Sequence, residues 1–127
     1  MANILVVDDD KHFAELVAAG LEAQGHSVVV GFDGQMAIRL AKSVRPDLIV
    51  IDVNMPLTTG TGALEFIRKI PATRQIPVIF LTGAPTPSFY PTVEAHSRVA
   101  YLKKPFDLES LNSMVRQFLE QYGPAEP

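Results

Sequence analysis

The chain has no cysteine among its 127 residues. Disulfides and thiolate metal sites are therefore excluded, which fits a reducing cytoplasm. It has no apolar run of about 18 residues, the length a membrane span needs. Its opening stretch, MANILVVDDD, has neither the basic nor the long apolar region of a secretory signal. These absences predict a soluble, cytoplasmic protein without membrane insertion. Basic residues are scattered and outnumbered, with 11 Lys and Arg against 14 Asp and Glu and a formal charge of −3. With no basic stripe, direct nucleic-acid binding is disfavoured, and proteins or small phosphorylated molecules are the expected partners. There is also no internal repeat, low-complexity segment or glycine-rich phosphate loop.

What is present suits one globular domain: 47% of residues are hydrophobic and 20% charged, and a chain of this size buries roughly two thirds of its unfolded surface. Ile4 to Val7 reads as a strand, followed by Phe13, Leu16, Val17, Gly20 and Leu21 at helical spacing, with Gly25 as a stop. Val28 to Phe32 reads as a second strand and Asp33-Gly34 as a turn. Met36, Ala37, Leu40, Ala41 and Val44 then form one helix face, closed by Pro46. Leu48 to Ile51 is a third strand, Ala63 to Ile70 a third helix, Val78 to Leu81 a fourth strand and Val99 to Leu102 a fifth. Leu108, Leu111, Val115, Phe118 and Leu119 define the last helix, so the domain runs over residues 1–122 and 123–127 is a flexible tail. A helix before the fifth strand must come from GAPTPSFYPTVEAHSR, where Pro85, Pro87 and Pro91 leave only about Thr92 to Ser97 comfortable.

Strands apolar on consecutive positions and separated by helices predict a doubly wound α/β fold, with a parallel sheet covered on both faces. Ligands bind such sheets beyond the carboxyl ends of the strands. The polar residues that interrupt the apolar runs all fall there: Asp8 and Asp9 after the first strand, Asp52 after the third, Thr82 after the fourth and Lys104 after the fifth. Gathered carboxylates repel one another, and holding them ionised requires a cation. Oxygen-only donors select Mg²⁺ or Mn²⁺. A lysine and a hydroxyl beside a metal-bound carboxylate make a phosphoryl-transfer site in which another carboxylate can be the nucleophile. Plainer roles stand beside these: Asp8 to Asp10 as a helix cap, Asp52 as a strand end, Thr82 as a strand residue, Tyr101 as core. Asp10 suits a cap and Lys103 a solvated surface better than the site. His12, His26 and His96 share no ligand spacing.

Through ILVVDDD, DLIVIDVNMPLTTG, VIFLTG and YLKKPF the chain resembles the receiver domains of two-component response regulators. Among these it is most similar to single-domain, chemotaxis-type regulators. The separations from Asp9 to Asp52, from Asp52 to Thr82 and from Asp52 to Lys104 match together. The resemblance implies a flavodoxin-like five-stranded sheet of order 2-1-3-4-5, with Asp52 the phosphoacceptor and Asp8 and Asp9 the acidic Mg²⁺ (or Mn²⁺) pair. Asn54 would lend a backbone carbonyl to the metal, Thr82 the switch hydroxyl, Lys104 the phosphate-binding cation and Tyr101 the aromatic switch. Pro105 would follow a cis peptide that aims Lys104 inward. The implied partners are a histidine kinase or histidine phosphotransfer protein, a downstream protein target and possibly a second copy in a homodimer. The implied protein is not a conventional enzyme, though it assists its own phosphorylation and dephosphorylation.

Departures from the family pattern are Gly83 after the threonine, the proline-rich fourth helix, expected to be short or irregular, and His96-Ser97 in place of a glycine-containing turn. No DNA-binding or catalytic module follows Pro127, which points to a regulator acting by protein contact. Two other functions compete. A pseudo-receiver would dock without phosphorylation, against which stands the complete set of acids, threonine and lysine. An aspartate-nucleophile phosphohydrolase favours a second acid two residues after the nucleophile, where this chain has Asn54.

Overall fold

A computed structural model of the chain describes residues 2–55 and 58–123. Strands and helices alternate: β1 (Asn3–Val7), α1 (Lys11–Glu22), β2 (Ser27–Gly31), α2 (Gly34–Val44), β3 (Leu48–Asp52), α3 (Gly60–Lys69), β4 (Val78–Thr82), α4 (Phe89–Ala95), β5 (Val99–Lys103) and α5 (Leu108–Tyr122). The strands form one parallel sheet in the order β2-β1-β3-β4-β5. Successive side chains of a strand point to opposite faces, and that alternation divides the core in two. Leu5, Val7, Ile49, Ile51, Val78 and Phe80 pack with residues of α2, α3 and α4, whereas Ile4, Val6, Leu48, Val50, Ile79 and Leu81 pack with α1 and α5. The consecutive apolar runs are thus strands buried from both sides. Among the described residues no helix is long and apolar enough to cross a membrane.

Side-chain caps start four of the helices. Asp10 accepts from the Phe13 N–H at 3.1 Å, Asp33 from Met36 at 2.7 Å, Thr59 from Gly62 at 3.1 Å and Asp107 from Ser110 at 2.7 Å. Such caps each contribute about 0.5–2 kcal/mol. They also correct the sequence reading: Asp33-Gly34 is no free turn but the cap and first residue of α2, and the Thr59 cap starts α3 at Gly60, three residues before Ala63. Strand β2 ends at Gly31, because the Phe32 N–H turns to the Met36 sulfur at 3.4 Å.

The fourth helix departs further. It runs from Phe89 to Ala95 without Ser97, so Pro91 lies inside it. Pro91 occupies the first turn, where amide hydrogens have no intrahelical acceptor and proline costs little. Phe89 then anchors the helix, buried edge-on against Phe80 with ring centroids 5.6 Å apart. The turn after it needs no glycine: Arg98 takes the left-handed position, with φ 61°. Its carbonyl accepts from Val78, its side chain donates to the Gln75 carbonyl at 3.4 Å, and its guanidinium lies over the Tyr122 ring at 5.1 Å. Arg68 donates to the carbonyls of Ser97 and Arg98; burial and Arg98 push its guanidinium down to about 10. Leu16 and Leu108, expected on core faces, are exposed, since α1 buries Ala14, Val17, Ala18 and Leu21 and α5 buries Leu111 and Val115. The expected tail lies outside the described residues except for Gly123, the C-cap of α5.

Two glycines hold the segment after β3 in place. A Cβ on Gly60 would strike the Asp52 carbonyl, and one on Gly34 would strike the Thr58 carbonyl. Neither backbone can retreat without moving the segment that carries Asp52. Gly34→Ala is therefore expected to lower stability in urea unfolding by about 1–3 kcal/mol, the usual penalty of overpacking. Gly83→Ala, whose added Cβ meets only the Lys104 Cβ at 3.9 Å, should leave the midpoint nearly unchanged.

Candidate functional site

The register of the sheet builds the site. Val7 pairs with Ile51 across β1 and β3, so the next residues, Asp8 and Asp52, emerge side by side at the carboxyl edge. Thr82 pairs with Lys103 across β4 and β5, which brings Lys104 to the same edge. Backbone bonds extend the ladder there: the Asp8 N–H donates to Gly31, Val53 to Leu81 at 3.1 Å and Lys104 to Thr82 at 2.7 Å. The Lys104–Pro105 peptide is cis, as the resemblance implies.

Asp8 and Asp52 are 1% and 6% exposed, whereas Asp9 is exposed. The Lys104 ammonium lies 3.3 Å from Asp8 Oδ2 and 3.4 Å from Asp52 Oδ1. Both distances exceed the roughly 2.7–2.9 Å of a tight charge-assisted bond, so one cation is shared between two acids. It does not neutralise them. Burial raises the Asp8 pKa above the ordinary 3.8, against the opposing Asp10 N–H and Lys104. Burial and then the charge of Asp8 raise that of Asp52, against Lys104 and the Asn54 N–H. Carboxylate oxygens of Asp8, Asp9 and Asp52 all lie within 4.8 Å of one another, an arrangement that can hold a metal ion. The donors are hard oxygens with excess negative charge, which fits Mg²⁺ or Mn²⁺.

Thr82 is fully buried, and its hydroxyl has no hydrogen-bond partner. An unsatisfied buried hydroxyl costs about 1–3 kcal/mol, so this group is held ready for an acceptor. Asn54 is exposed and contributes its N–H to Asp52. Lys103 is exposed, as expected. Tyr101 packs away from the acids in an aromatic group: its ring lies 5.4 Å from Phe89 and 5.6 Å from Tyr90, and it is 37% exposed. Of the histidines, His96 bridges to Glu65 at 3.0 Å. Asp10 is a cap, and it also donates its own N–H to Asp8 at 3.0 Å. Sequence reasoning missed Gly34, Gly60 and Phe13. Phe13 reads as one more apolar residue at helical spacing, yet Lys104 Nζ lies 4.5 Å from its ring centroid.

A five-stranded doubly wound sheet with an acidic cluster and a shared lysine at its carboxyl edge defines a class of phosphoryl-handling signalling domains. The chain belongs to the response regulator receiver domain family, whose model matches residues 4–116. It is 33% identical to the DNA-binding dual master transcriptional regulator RpaA of Synechocystis sp. over 95% of this chain and 50% of that protein. It is 37% identical to the response regulator MprA of Mycolicibacterium vanbaalenii over 96% of this chain and 52% of that protein. The chain spans about half the length of these curated relatives. Among solved structures, the signal receiver domain of a signal transduction histidine kinase from Syntrophus aciditrophicus has a TM-score of 0.88 at 30% identity, covering 99% of this chain and 96% of that one. The chemotaxis response regulator CheY4 of Vibrio cholerae has a TM-score of 0.85 at 31% identity, covering 94% and 99%.

The raised carboxyls give a pH dependence of definite sign. A folded-state pKa above the ordinary value means that the folded protein binds these protons more readily than the unfolded chain. The stability these two groups contribute is therefore fully present below 3.8 and is lost as pH rises through their raised values. Asp52→Asn should melt at a higher temperature than wild type at pH 7, with the difference vanishing below pH 3.8. Added Mg²⁺ should raise the wild-type melting temperature by mass action. Thermal scans that put Asp52→Asn below wild type at pH 7 would contradict this electrostatic reading.

Proposed function

We propose that this chain is a phosphorylation-switched receiver whose Asp52 takes a phosphoryl group from a partner histidine kinase or histidine phosphotransfer protein. The observation that supports it most is the convergence of Asp8, Asp9 and Asp52, with Lys104 shared between Asp8 and Asp52. Asp52 carboxylate oxygen attacks phosphorus, the O–P bond forms, and the N–P bond of the partner's phosphohistidine breaks, leaving its electron pair on the imidazole nitrogen. Later, water attacks phosphorus, the acyl O–P bond breaks, and the Asp52 carboxylate returns with inorganic phosphate. A Mg²⁺ held by Asp8, Asp9, Asp52 and the Asn54 carbonyl would neutralise charge on the phosphoryl oxygens. Lys104 exchanges its carboxylate contacts for a phosphoryl oxygen, and Thr82 gives its unpartnered hydroxyl to another. Response regulators are generally signalling proteins and not enzymes in the usual sense, so turnover here is self-directed.

Output follows from the same groups. Phe80 lies two residues before Thr82 and touches Phe89, which touches Tyr90 and Tyr101. Movement of Thr82 toward a phosphoryl group would repack this aromatic group on the α4 and β5 face, where a downstream protein or a second copy binds. Residues 1–122 form this receiver unit, acting in the cytoplasm, and Tyr101 serves as the aromatic switch.

Incubation with Mg²⁺ and acetyl phosphate should give acid-stable, base-labile phosphate on wild type and none on Asp52→Asn. Lys104→Ala should take phosphate without the change in Tyr101 environment, whereas Lys103→Ala should behave as wild type. Stable phosphate located by mass spectrometry on a hydroxyl residue or a histidine would overturn the proposal, as would equal behaviour of the two lysine variants.

A further inference from the structure

We propose that Phe13 is a positioning residue for Lys104: its ring face holds the ammonium over the acidic pocket and lets it pass from the carboxylates to a phosphoryl group. The proposal rests on the phosphoacceptor reading of Asp52. Four contacts carry it, and they form a closed circuit. Asp8 Oδ1 accepts the Asp10 N–H at 3.0 Å, and Asp10 Oδ1 accepts the Phe13 N–H at 3.1 Å. The Phe13 ring faces Lys104 Nζ at 4.5 Å, and Lys104 Nζ returns to Asp8 Oδ2 at 3.3 Å. Phe13 is thereby fixed by the same acid that its ring helps to pair. Phe106, two residues beyond Lys104, meets the Phe13 ring at 80° with centroids 6.0 Å apart and limits its rotation.

The chemistry explains why a ring is useful there. Lysine carries its charge on a flexible four-carbon stem with considerable rotamer freedom, and the Lys104 side chain is 28% exposed. Its bonds to Asp8 and Asp52 are both long, so neither acid fixes its position. Attraction of a cation to the negative face of a ring has no single acceptor atom. The ammonium can shift across that face while it changes oxygen partners and never becomes unpaired. An aliphatic side chain of similar bulk would fill the space but supply no attraction.

Stepwise fluorination of the Phe13 ring separates the two roles, because fluorine drains the negative face while nearly preserving shape. In the full chain with Mg²⁺ and acetyl phosphate, the labelling rate of Asp52 should fall with each added fluorine, by about two- to thirtyfold in all, the span of known cation–π strengths. In a Lys104→Ala background the fluorines should have no effect. In the unphosphorylated protein, the Lys104 ε-methylene proton resonances should be shifted upfield by the Phe13 ring and should return to ordinary values in Phe13→Leu. Unchanged rates on fluorination, an equal fall in the Lys104→Ala background, or unshifted methylene resonances would each overturn the proposal. Wild type that takes no label overturns the phosphoacceptor reading instead, and the resonance then decides the contact by itself.

Discussion

Two buried carboxylates share one ammonium, and most of the structure follows from that constraint. The parallel register brings Asp8 and Asp52 out side by side on neighbouring strands, where burial raises the pKa of both. The cation that answers them comes from the end of the edge strand β5 and reaches back past β4, steered by the Lys104 N–H bond to the Thr82 carbonyl. Because Lys104 offsets the two charges incompletely, the pocket retains an appetite for further positive charge. A divalent cation satisfies it. In the proposed reading, the same imbalance makes Lys104 free to change partners once Asp52 is modified, while the unpartnered Thr82 hydroxyl supplies a second contact from β4.

The edge of the sheet was readable in the sequence because burial on both faces forces the strands to be apolar on consecutive positions, so Asp8, Asp52, Thr82 and Lys104 stand out as interruptions. Helices with a strong apolar face were readable for the same reason. Local chemistry that serves two structural ends was not. Asp33-Gly34 has the composition of a turn, but Asp33 caps α2 and Gly34 meets the Thr58 carbonyl, a contact made only when distant segments fold together. Pro91 reads as a helix breaker until the helix is seen to start at Phe89, which places the proline in the tolerant first turn. Leu16 and Leu108 follow the helical period but fall just outside the buried stripes of α1 and α5. Phe13 is the instructive case. Its period marks it as core, and nothing in the sequence relates it to a lysine on the last strand.

The departures from the family pattern settle into one region. Arg98 does with a positive φ what a glycine would do freely, and it is held there by Gln75, Tyr122 and the neighbouring Arg68. Helix α4 is short, capped by no side chain, and anchored by Phe89 alone among its fully buried residues. Tyr90 and Tyr101 remain partly exposed beside it. This face keeps its aromatic content while losing helix length, so a partner reading it would meet rings more than a continuous helical ridge.

The central claim is that Lys104 and Thr82 are poised for a group on Asp52. A crystal structure of the protein with Mg²⁺ and beryllofluoride, which mimics a phosphoryl group on aspartate, tests it most directly. The account predicts Lys104 Nζ on a fluoride at about 2.7–2.9 Å, as charge-assisted bonds require, together with a hydrogen bond from the Thr82 hydroxyl to another fluoride and loss of the Asp8 contact. Beryllofluoride bound at Asp52 with Lys104 still on Asp8 and Thr82 still without a partner would contradict it.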